Sequence, residues 1–388
     1  MEKYNVIIIG AGASGLMCAL NLNKPTLLIE ASDRIGKKIL ATGNGKCNIT
    51  NDIVDARYYN TPLVDKYLKK FDSAQTLKYF EKIGIFTYAD KEHRRYPLSN
   101  SANTVLNLML KALSLKKNIK MVVNTMPLSV TKLKDGFSIV TKDKTYVCDK
   151  LVIATGGNSG TQYLKQLNVD YIGFKPSLMG LKTTKNKGLA GIRVSNVKVS
   201  FNEFNEVGEI LFKEDGISGI VIFNLSAYLA RNNVRSGKIA IDLLPSITES
   251  DLFKMLELSI HNNPDYLLVD VLEGFFHKSL AKNILEKLSL DKKLAQDTNQ
   301  LDIDKIVNGI KNFVVNFVGN ADNNQVHTGG IDLSDLDENL QCKRIKNLYF
   351  TGEVVNVDGV CGGYNLQWAW TSGKIVADGI KNHKDVWY

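Results

Sequence analysis

The chain has 388 residues, of which 44% are hydrophobic and 23% charged, and its formal net charge is +9. This composition argues against long disorder, and the length favours one large domain with an insertion, or two domains. The five cysteines are widely spaced without a CxxC pair, so we expect neither a disulfide framework nor a zinc ribbon, and a cytoplasmic location fits best. No stretch approaches the roughly 20 apolar residues that span a bilayer, so we expect no membrane partner.

The first thirty residues have the pattern of a strand, a loop, a helix and a second strand. Residues 4–9 form a run that is mostly β-branched, which is typical of a strand buried on both faces of a parallel sheet. The helix is predicted over 13–22 and the second strand over 26–30. Together they form a βαβ unit of about 27 residues, close to the size expected of a nucleotide-binding unit.

The remaining chain alternates between α/β, β-rich and helical patterns. Up to residue 155 we predict helices over 72–83 and 104–114, and strands over 120–123, 136–141, 144–148 and 151–155. Short apolar pieces at 194–203, 209–212 and 238–242 indicate antiparallel β structure. Helices are then predicted over 251–262, 266–274, 278–288 and 304–312, followed by a strand at 348–351 and a helix at 366–379.

These patterns predict a nucleotide-binding domain made from both ends of the chain. We assign residues 1–185 and 326–388 to this α/β domain. Residues 186–325 form the predicted insertion, which is β-rich over 186–247 and helical over 248–318.

A glycine loop follows the first strand and opens the first helix. Gly10 allows the tight turn, Gly12 lets the backbone approach a pyrophosphate, and Gly15 lets the helix pack on the strand. The backbone at Ala13 and the hydroxyl of Ser14 lie at the helix N-terminus, where free N–H groups and the helix dipole favour phosphate.

An acidic residue, Glu30, ends the second strand, fifteen residues after Gly15. A carboxylate there accepts the two ribose hydroxyls of an adenosine, and it disfavours the 2′-phosphate of NADP. We include Ala31 and Val123 with Glu30 among the predicted cofactor-binding residues. The structural alternative for Glu30 is a solvated strand end, which the complete βαβ context disfavours.

The segments that follow distinguish FAD from NAD. Residues 33–38 continue into a basic, glycine-containing turn that resembles FAD-binding oxidoreductases of the glutathione-reductase-like superfamily. Residues 154–157 resemble the Ala-Thr-Gly segment that passes close to FAD in those enzymes. Residues 348–353 and 362–365 resemble their last strand, whose acid holds the ribityl or pyrophosphate region, and their last helix, whose N-terminus points at the flavin.

A longer and more specific segment covers residues 37–51, KKILATGNGKCNITN. It resembles the signature of the YhiN/BaiN-like flavoproteins, a bacterial family often labelled NAD(P)/FAD-dependent oxidoreductase or aminoacetone oxidase family. Residues 95–99, 209–212, 216–219, 328–331 and 352–367 resemble further family segments. The resemblance implies a Rossmann-type FAD domain with an inserted β-barrel-like part and a helical part. It also implies flavin-dependent redox chemistry, which in some members reduces oxo-steroid bile-acid intermediates.

Two departures from the family pattern concern the substrate side. The glycine-rich stretch after residues 154–157 is shortened, and the family's Thr-His and proline in the insertion are replaced by Lys213-Glu214 and Ile220. A borrowed substrate therefore does not follow from the resemblance alone.

Candidate site residues fall into two groups, and no metal site is predicted. The catalytic candidates are Cys47 and His327, and for Cys47 packing beside the flavin is the favoured interpretation. A redox pair of Cys47 with Cys361 is a further hypothesis. The predicted cofactor-binding residues are Gly10, Gly12, Ala13, Ser14, Gly15, Glu30, Ala31, Lys37, Lys38, Gly45, Lys46, Cys47, Asn48, Val123, Ala154, Thr155, Gly156, Gly157, Gly352, Glu353, Gly363, Tyr364, Asn365 and Leu366.

The leading functional hypothesis is an FAD-dependent oxidoreductase that passes hydride through flavin N5. The donor is NAD(P)H or a reduced substrate, and the acceptor is an oxo or enone compound or oxygen. A single dinucleotide fingerprint indicates that any nicotinamide binds transiently. The alternatives are a flavoprotein that binds tRNA, which the scattered lysines disfavour, and a redox sensor or electron carrier. The oligomeric state stays open.

Overall fold

A computed structural model of the chain describes residues 1–184, 186 and 188–382. The predicted boundary at residue 185 and the last residues, 383–388, lie outside this part. The chain forms two compact units. The first comprises Met1–Lys175 and the residues from Val326 onward, and the second comprises Pro176–Gln325. No helix within the described residues is both long and apolar enough to cross a membrane.

The bounds of the regular elements in the described residues are as follows. The strands are β1 Glu2–Ile9, β2 Thr26–Ile29, β3 Thr50–Asn51, β4 Thr87–Ala89, β5 Arg94–Pro97, β6 Ile119–Val122, β7 Ser129–Leu133, β8 Gly136–Val140, β9 Thr145–Ile153, β10 Ile172–Ser177, β11 Leu181–Thr183, β12 Arg193–Phe201, β13 Phe204–Lys213, β14 Gly216–Ser218, β15 Gly237–Asp242, β16 Phe313–Asn320, β17 Val326–Gly330 and β18 Leu348–Phe350. The helices are α1 Ala13–Asn21, α2 Lys37–Ala41, α3 Asp65–Leu68, α4 Ser73–Lys82, α5 Ala102–Ser114, α6 Thr161–Gln166, α7 Ile220–Arg231, α8 Glu249–Asn262, α9 Leu268–Glu273, α10 Lys278–Leu288, α11 Gln300–Lys311 and α12 Tyr364–Asn382.

The first unit is built on a seven-stranded sheet in the order β6-β2-β1-β9-β8-β7, with β18 also paired to β9. The contacts among β6, β2, β1, β9 and β18 are parallel. The central strand β1 is buried on both faces, since Val6, Ile7 and Ile8 are fully buried, as its β-branched run predicts. Helix α1 packs against α12, which joins the two ends of the chain.

Strand β9 differs from the sequence-based prediction of two strands at 144–148 and 151–155. It is one strand, Thr145–Ile153. Its first half pairs antiparallel with β8 and its second half pairs parallel with β18. The charged pair Asp149-Lys150 suggests an interruption, but parallel pairing with β1 continues through it and holds the backbone extended. The prediction was wrong because ladder hydrogen bonds to a distant strand outweigh the local polar signal.

The second unit contains a closed antiparallel barrel in the order β11-β14-β13-β12-β15-β16. Its strands alternate buried and exposed positions, so that β16 buries Phe313, Val315 and Phe317 and exposes the residues between them. Helices α8 to α11 pack on one another and share a hydrophobic core with the barrel strands.

Several elements of the second unit were not predicted, among them the short strands β11 and β14, helix α7 and strand β16. Helix α7 lies within the region predicted to be β-rich, and strand β16 overlaps the end of the region predicted to be helical. Helix α7 is apolar on most sides and buries seven residues, so it lacks the one-sided period by which an amphipathic helix is recognised. The short sheet β3-β5-β4 in the first unit was also missed.

Candidate active site

The glycine loop between β1 and α1 is shaped by close backbone packing. Gly10 has a φ of +105°, and a Cβ added there would overlap the carbonyl of Ala154. A Cβ added at Gly15 would overlap the carbonyl of Gly10. The loop, helix α1 and the end of β9 therefore meet at a distance that only glycine permits.

Gly12 differs from the other two glycines of the loop. A Cβ added at Gly12 would have no atom within 4 Å, and Gly12 caps α1 without any side-chain hydrogen bond to the helix start. The first backbone N–H groups of α1 have no partner within the helix, and they lie at the positive end of its dipole. This geometry fits a dinucleotide pyrophosphate at the loop.

The carboxylate of Glu30 lies at the carboxyl end of β2, as predicted. Its two oxygens accept backbone N–H groups from Ala11 and Ser32, each at 2.9 Å. Each oxygen keeps a second lone pair for a ribose hydroxyl. The backbone N–H of Glu30 donates to Val122, and Val123 and Ala31 are exposed beside it. The predicted adenosine-binding residues are therefore brought together at the ends of β2 and β6.

The signature segment forms helix α2 and a tight loop of left-handed residues. Asn44 and Cys47 have positive φ, and Lys37, Gly45 and Lys46 are exposed. Cys47 is fully buried, and burial raises the pKa of its thiol to about 12 despite a hydrogen bond from Thr42. Such a thiol is protonated near neutral pH, which supports the packing interpretation of Cys47.

Asn48 connects the signature segment to the start of α12. In the amide orientation that satisfies both partners, its oxygen accepts the N–H of Gly363 and its nitrogen donates to the carbonyl of Thr50, both at 3.0 Å. A Cβ added at Gly363 would lie 2.6 Å from the Thr50 carbonyl. The start of α12 is thereby held against the loop that follows Cys47.

The first three residues of α12, Tyr364 to Leu366, differ from one another in their contacts. Tyr364 stacks on Tyr58 with ring centroids 4.6 Å apart, and burial raises the pKa of Tyr364 to about 12. The side chain of Asn365 both donates to and accepts from the backbone of Gly359, so it holds the preceding loop. Leu366 is half-buried. The side chain of Asn365 is therefore engaged within the protein.

Glu353 is the point at which four separate segments meet. One carboxylate oxygen accepts the backbone N–H of His327 and lies 3.2 Å from its Nδ1, and the other lies 3.3 Å from Nζ of Lys38. A Cβ added at Gly156 would lie 3.5 Å from the same carboxylate, and one at Gly157 would lie 2.6 Å from the His327 ring. Residues predicted separately as cofactor-binding and catalytic therefore form one cluster.

The charge state of Glu353 follows from this cluster. Burial by itself raises the pKa of the carboxyl group, but the hydrogen bond from His327 and the charge of Lys38 outweigh burial, so the pKa of Glu353 lies below its usual range. The carboxylate is 19% exposed. The cluster thus holds an ionised acid beside the end of the last strand, β18.

Some residues near the site were not singled out individually from the sequence. Asp358 is buried, with Thr328 Oγ1 donating to it at 3.1 Å, and Asn60 holds its backbone N–H. Tyr58 and Tyr59 surround Tyr364. Asp358 lies inside the C-terminal family segment, which was the available signal, whereas the two tyrosines follow no pattern that identifies them.

A separate cavity of about 470 Å³ lies in the second unit. None of the predicted cofactor-binding residues lines it, since its walls are residues of α8 and α11: Glu249, Ser250, Phe253, Lys254, Asp304, Val307 and Asn308. The dinucleotide loop and the cluster around Glu353 therefore remain the candidate site.

Known proteins match this chain over nearly its whole length. The family model described as HI0933-like protein Rossmann domain matches residues 4–379. The chain is 30% identical to a Clostridium scindens protein named 3-dehydro-bile acid delta(4,6)-reductase, over 94% of this chain and 96% of that protein. It is 28% identical to the ribosomal RNA dihydrouridine synthase of Escherichia coli, over 96% of each chain.

Among solved structures, a variant of the Escherichia coli quinol fumarate reductase protein FrdA resembles this chain. The TM-score is 0.50 at 12% identity, covering 98% of this chain and 70% of that chain. This likeness concerns the fold alone, and it confirms the predicted Rossmann-type FAD-binding fold. The chain therefore belongs to the HI0933-like Rossmann domain family and is an FAD-dependent oxidoreductase.

Proposed function

We propose that this protein reduces a carbon–carbon double bond that is conjugated to a carbonyl group, with NAD(P)H as the transient source of hydride. The names of two relatives support the reaction type. A delta(4,6)-reductase of a 3-dehydro bile acid and a dihydrouridine synthase both saturate a double bond conjugated to a carbonyl, in a steroid ring and in a uracil ring respectively. FAD, when bound, supplies hydride transfer for this chemistry.

The observation that carries the proposal is the cluster of Lys38, His327 and Glu353 in the same unit as a complete dinucleotide loop. In this proposal the start of α1 binds the pyrophosphate and Glu30 binds the adenosine ribose. Saturation of a conjugated double bond also needs a proton at the carbon next to the carbonyl. His327 is our candidate donor, because Glu353 orients its ring through Nδ1.

An anaerobic titration tests the proposal. The purified protein is expected to show the visible spectrum of bound FAD, to lose it on addition of NADH or NADPH, and to regain it on addition of a steroidal 4-en-3-one. A colourless protein that cannot be reconstituted with FAD would contradict the assignment of the cofactor. Reoxidation by a saturated ketone or by oxygen but by no enone would contradict the reaction type. A flavin that neither nicotinamide reduces would favour a redox sensor or electron carrier.

A uridine in RNA is the second candidate substrate. Two relatives, from Escherichia coli and Haemophilus influenzae, are named ribosomal RNA dihydrouridine synthase, and this chain carries a net charge of +9. Incubation with an unmodified ribosomal RNA transcript and NAD(P)H would then produce dihydrouridine, measured by mass spectrometry of nucleosides. We expect the yield to fall as salt rises, because contacts to phosphate release counterions. Reduction of the steroid enone without any dihydrouridine would favour the small-molecule substrate.

A further inference from the structure

The ammonium group of Lys38 has a partner within the protein. Its Nζ lies 3.3 Å from an oxygen of Glu353, from which it is separated by 315 residues in sequence. The lysine is 65% exposed while the carboxylate is 19% exposed. The positive charge is therefore directed from the surface toward a largely enclosed negative charge.

The other side of the carboxylate is equally constrained. The backbone N–H and Nδ1 of His327 both contact Oε1 of Glu353, whereas Lys38 contacts Oε2. Gly157 lies so close to the imidazole that a Cβ there would be 2.6 Å from Nδ1, so glycine at this position leaves room for the ring. The carboxylate of Glu353 is thus held from two sides by two different segments.

Two roles for Lys38 are chemically distinct. A lysine beside a dinucleotide site can contact a phosphate directly, or it can neutralise a nearby carboxylate that would otherwise repel the phosphates. The 3.3 Å ion pair with Glu353 favours the second role. An ionised carboxylate without its counter-charge would repel a pyrophosphate at close range, and the low exposure of Glu353 limits screening by solvent.

We propose that Lys38 acts on the cofactor through Glu353, as the counter-charge of this carboxylate instead of a direct ligand of the phosphates. His327, our candidate proton donor, also helps to position Glu353. This inference rests on the proposed FAD site. Its distinctive consequence is that Lys38 matters for FAD affinity only while residue 353 is charged.

A double-mutant cycle tests this dependence through the dissociation constant of FAD, measured by flavin fluorescence on the full-length apoprotein. We expect K38M to weaken FAD binding about tenfold and K38R to stay within about twofold of wild type. In the E353Q background, K38M should change the dissociation constant by less than about twofold. The exposed Lys70–Glu338 pair, also with 3.3 Å between Nζ and Oε2, is the matched control, and K70M should leave FAD affinity unchanged.

The outcomes separate the inference from the proposed function. A K38M effect of the same size in both backgrounds would overturn the inference, because Lys38 would then contact the cofactor itself. The absence of any K38M effect would overturn it as well. Wild-type protein that fails to bind FAD would overturn the proposed function. Melting temperatures of the apoproteins identify any variant that loses affinity by unfolding, and K38Q, which also removes the positive charge, then replaces K38M in both backgrounds.

Discussion

The hydroxyl of Ser14 lies directly against the α-carbon of Gly352, although the two residues belong to opposite ends of the chain. Ser14 Oγ donates to the carbonyl of Thr351 at 3.4 Å, and Gly352 has a φ of +75°. A Cβ added at Gly352 would lie 2.9 Å from Ser14 Cβ and would overlap Ser14 Oγ. The side chain of Ser14 therefore joins the dinucleotide loop to the last strand of the sheet, and this contact makes the glycine necessary.

Replacement of Gly352 by alanine is expected to destabilise the apoprotein by about 2 to 4 kcal/mol, because it combines a strained φ with an overlap in a packed region. Urea unfolding measures this free energy. G173A is the control, since Gly173 has ordinary φ and no atom within 4 Å of an added Cβ, and it should stay within about 0.5 kcal/mol of wild type. Equal stability of the two variants would contradict the close contact with Ser14.

Alanine at Gly12 should weaken FAD binding without affecting stability, whereas alanine at Gly15 should lower the stability of the apoprotein. The added methyl group at Gly12 meets no atom within 4 Å, so the unfolding free energy of the apoprotein should change by less than about 0.5 kcal/mol. FAD affinity should nevertheless fall at least about tenfold, because the methyl group occupies the space expected for the pyrophosphate. G15A should instead destabilise the apoprotein by about 1 to 3 kcal/mol. Unchanged FAD affinity in G12A would argue against a pyrophosphate at this loop.

Two substitutions of His327 distinguish its role in holding Glu353 from its proposed role as proton donor. Asparagine presents an amide nitrogen near the place of Nδ1, so H327N should keep FAD affinity within about threefold of wild type, whereas H327L should lose about tenfold. If His327 also donates the proton, H327N should reduce enone turnover by at least about a hundredfold while FAD stays bound. FAD titration and single-turnover reoxidation of the reduced protein provide the two readouts. Equal loss of FAD affinity in both variants would show that Nδ1 does not hold Glu353.

Thiol reactivity tests the predicted redox pair of Cys47 and Cys361. Cys361 is partly exposed, while Cys18, Cys47, Cys148 and Cys342 are buried. Burial raises the pKa of Cys47 to about 12, so at pH 8 its thiol is almost entirely protonated. We expect iodoacetamide to modify Cys361 first, and Cys47 only slowly, with a rate that rises as pH increases toward 12. Folded protein that is exposed to air and then denatured should yield five free thiols. A yield of three would support a disulfide bond between Cys47 and Cys361.

The dinucleotide loop and Glu30 could be identified from the sequence because strand, turn, helix and strand lie within thirty residues. Local backbone geometry there requires particular residue types, and Gly10 and Gly15 make the close contacts that this pattern implies. Helix α7 and the continuity of β9 were missed for the opposite reason. Helix α7 is buried on most sides, and β9 continues through Asp149-Lys150 because β1 pairs with it.

The sequence by itself determined that the chain begins with a dinucleotide-binding unit and that motifs typical of FAD proteins recur along it in order. Only the tertiary structure decided that Lys38, Gly156, His327 and Glu353 form one cluster, and that Asn48 holds the N–H of Gly363. The physical reason is distance along the chain. A turn is specified by neighbouring residues, whereas an ion pair across 315 residues forms only after the sheet has brought its strand ends together.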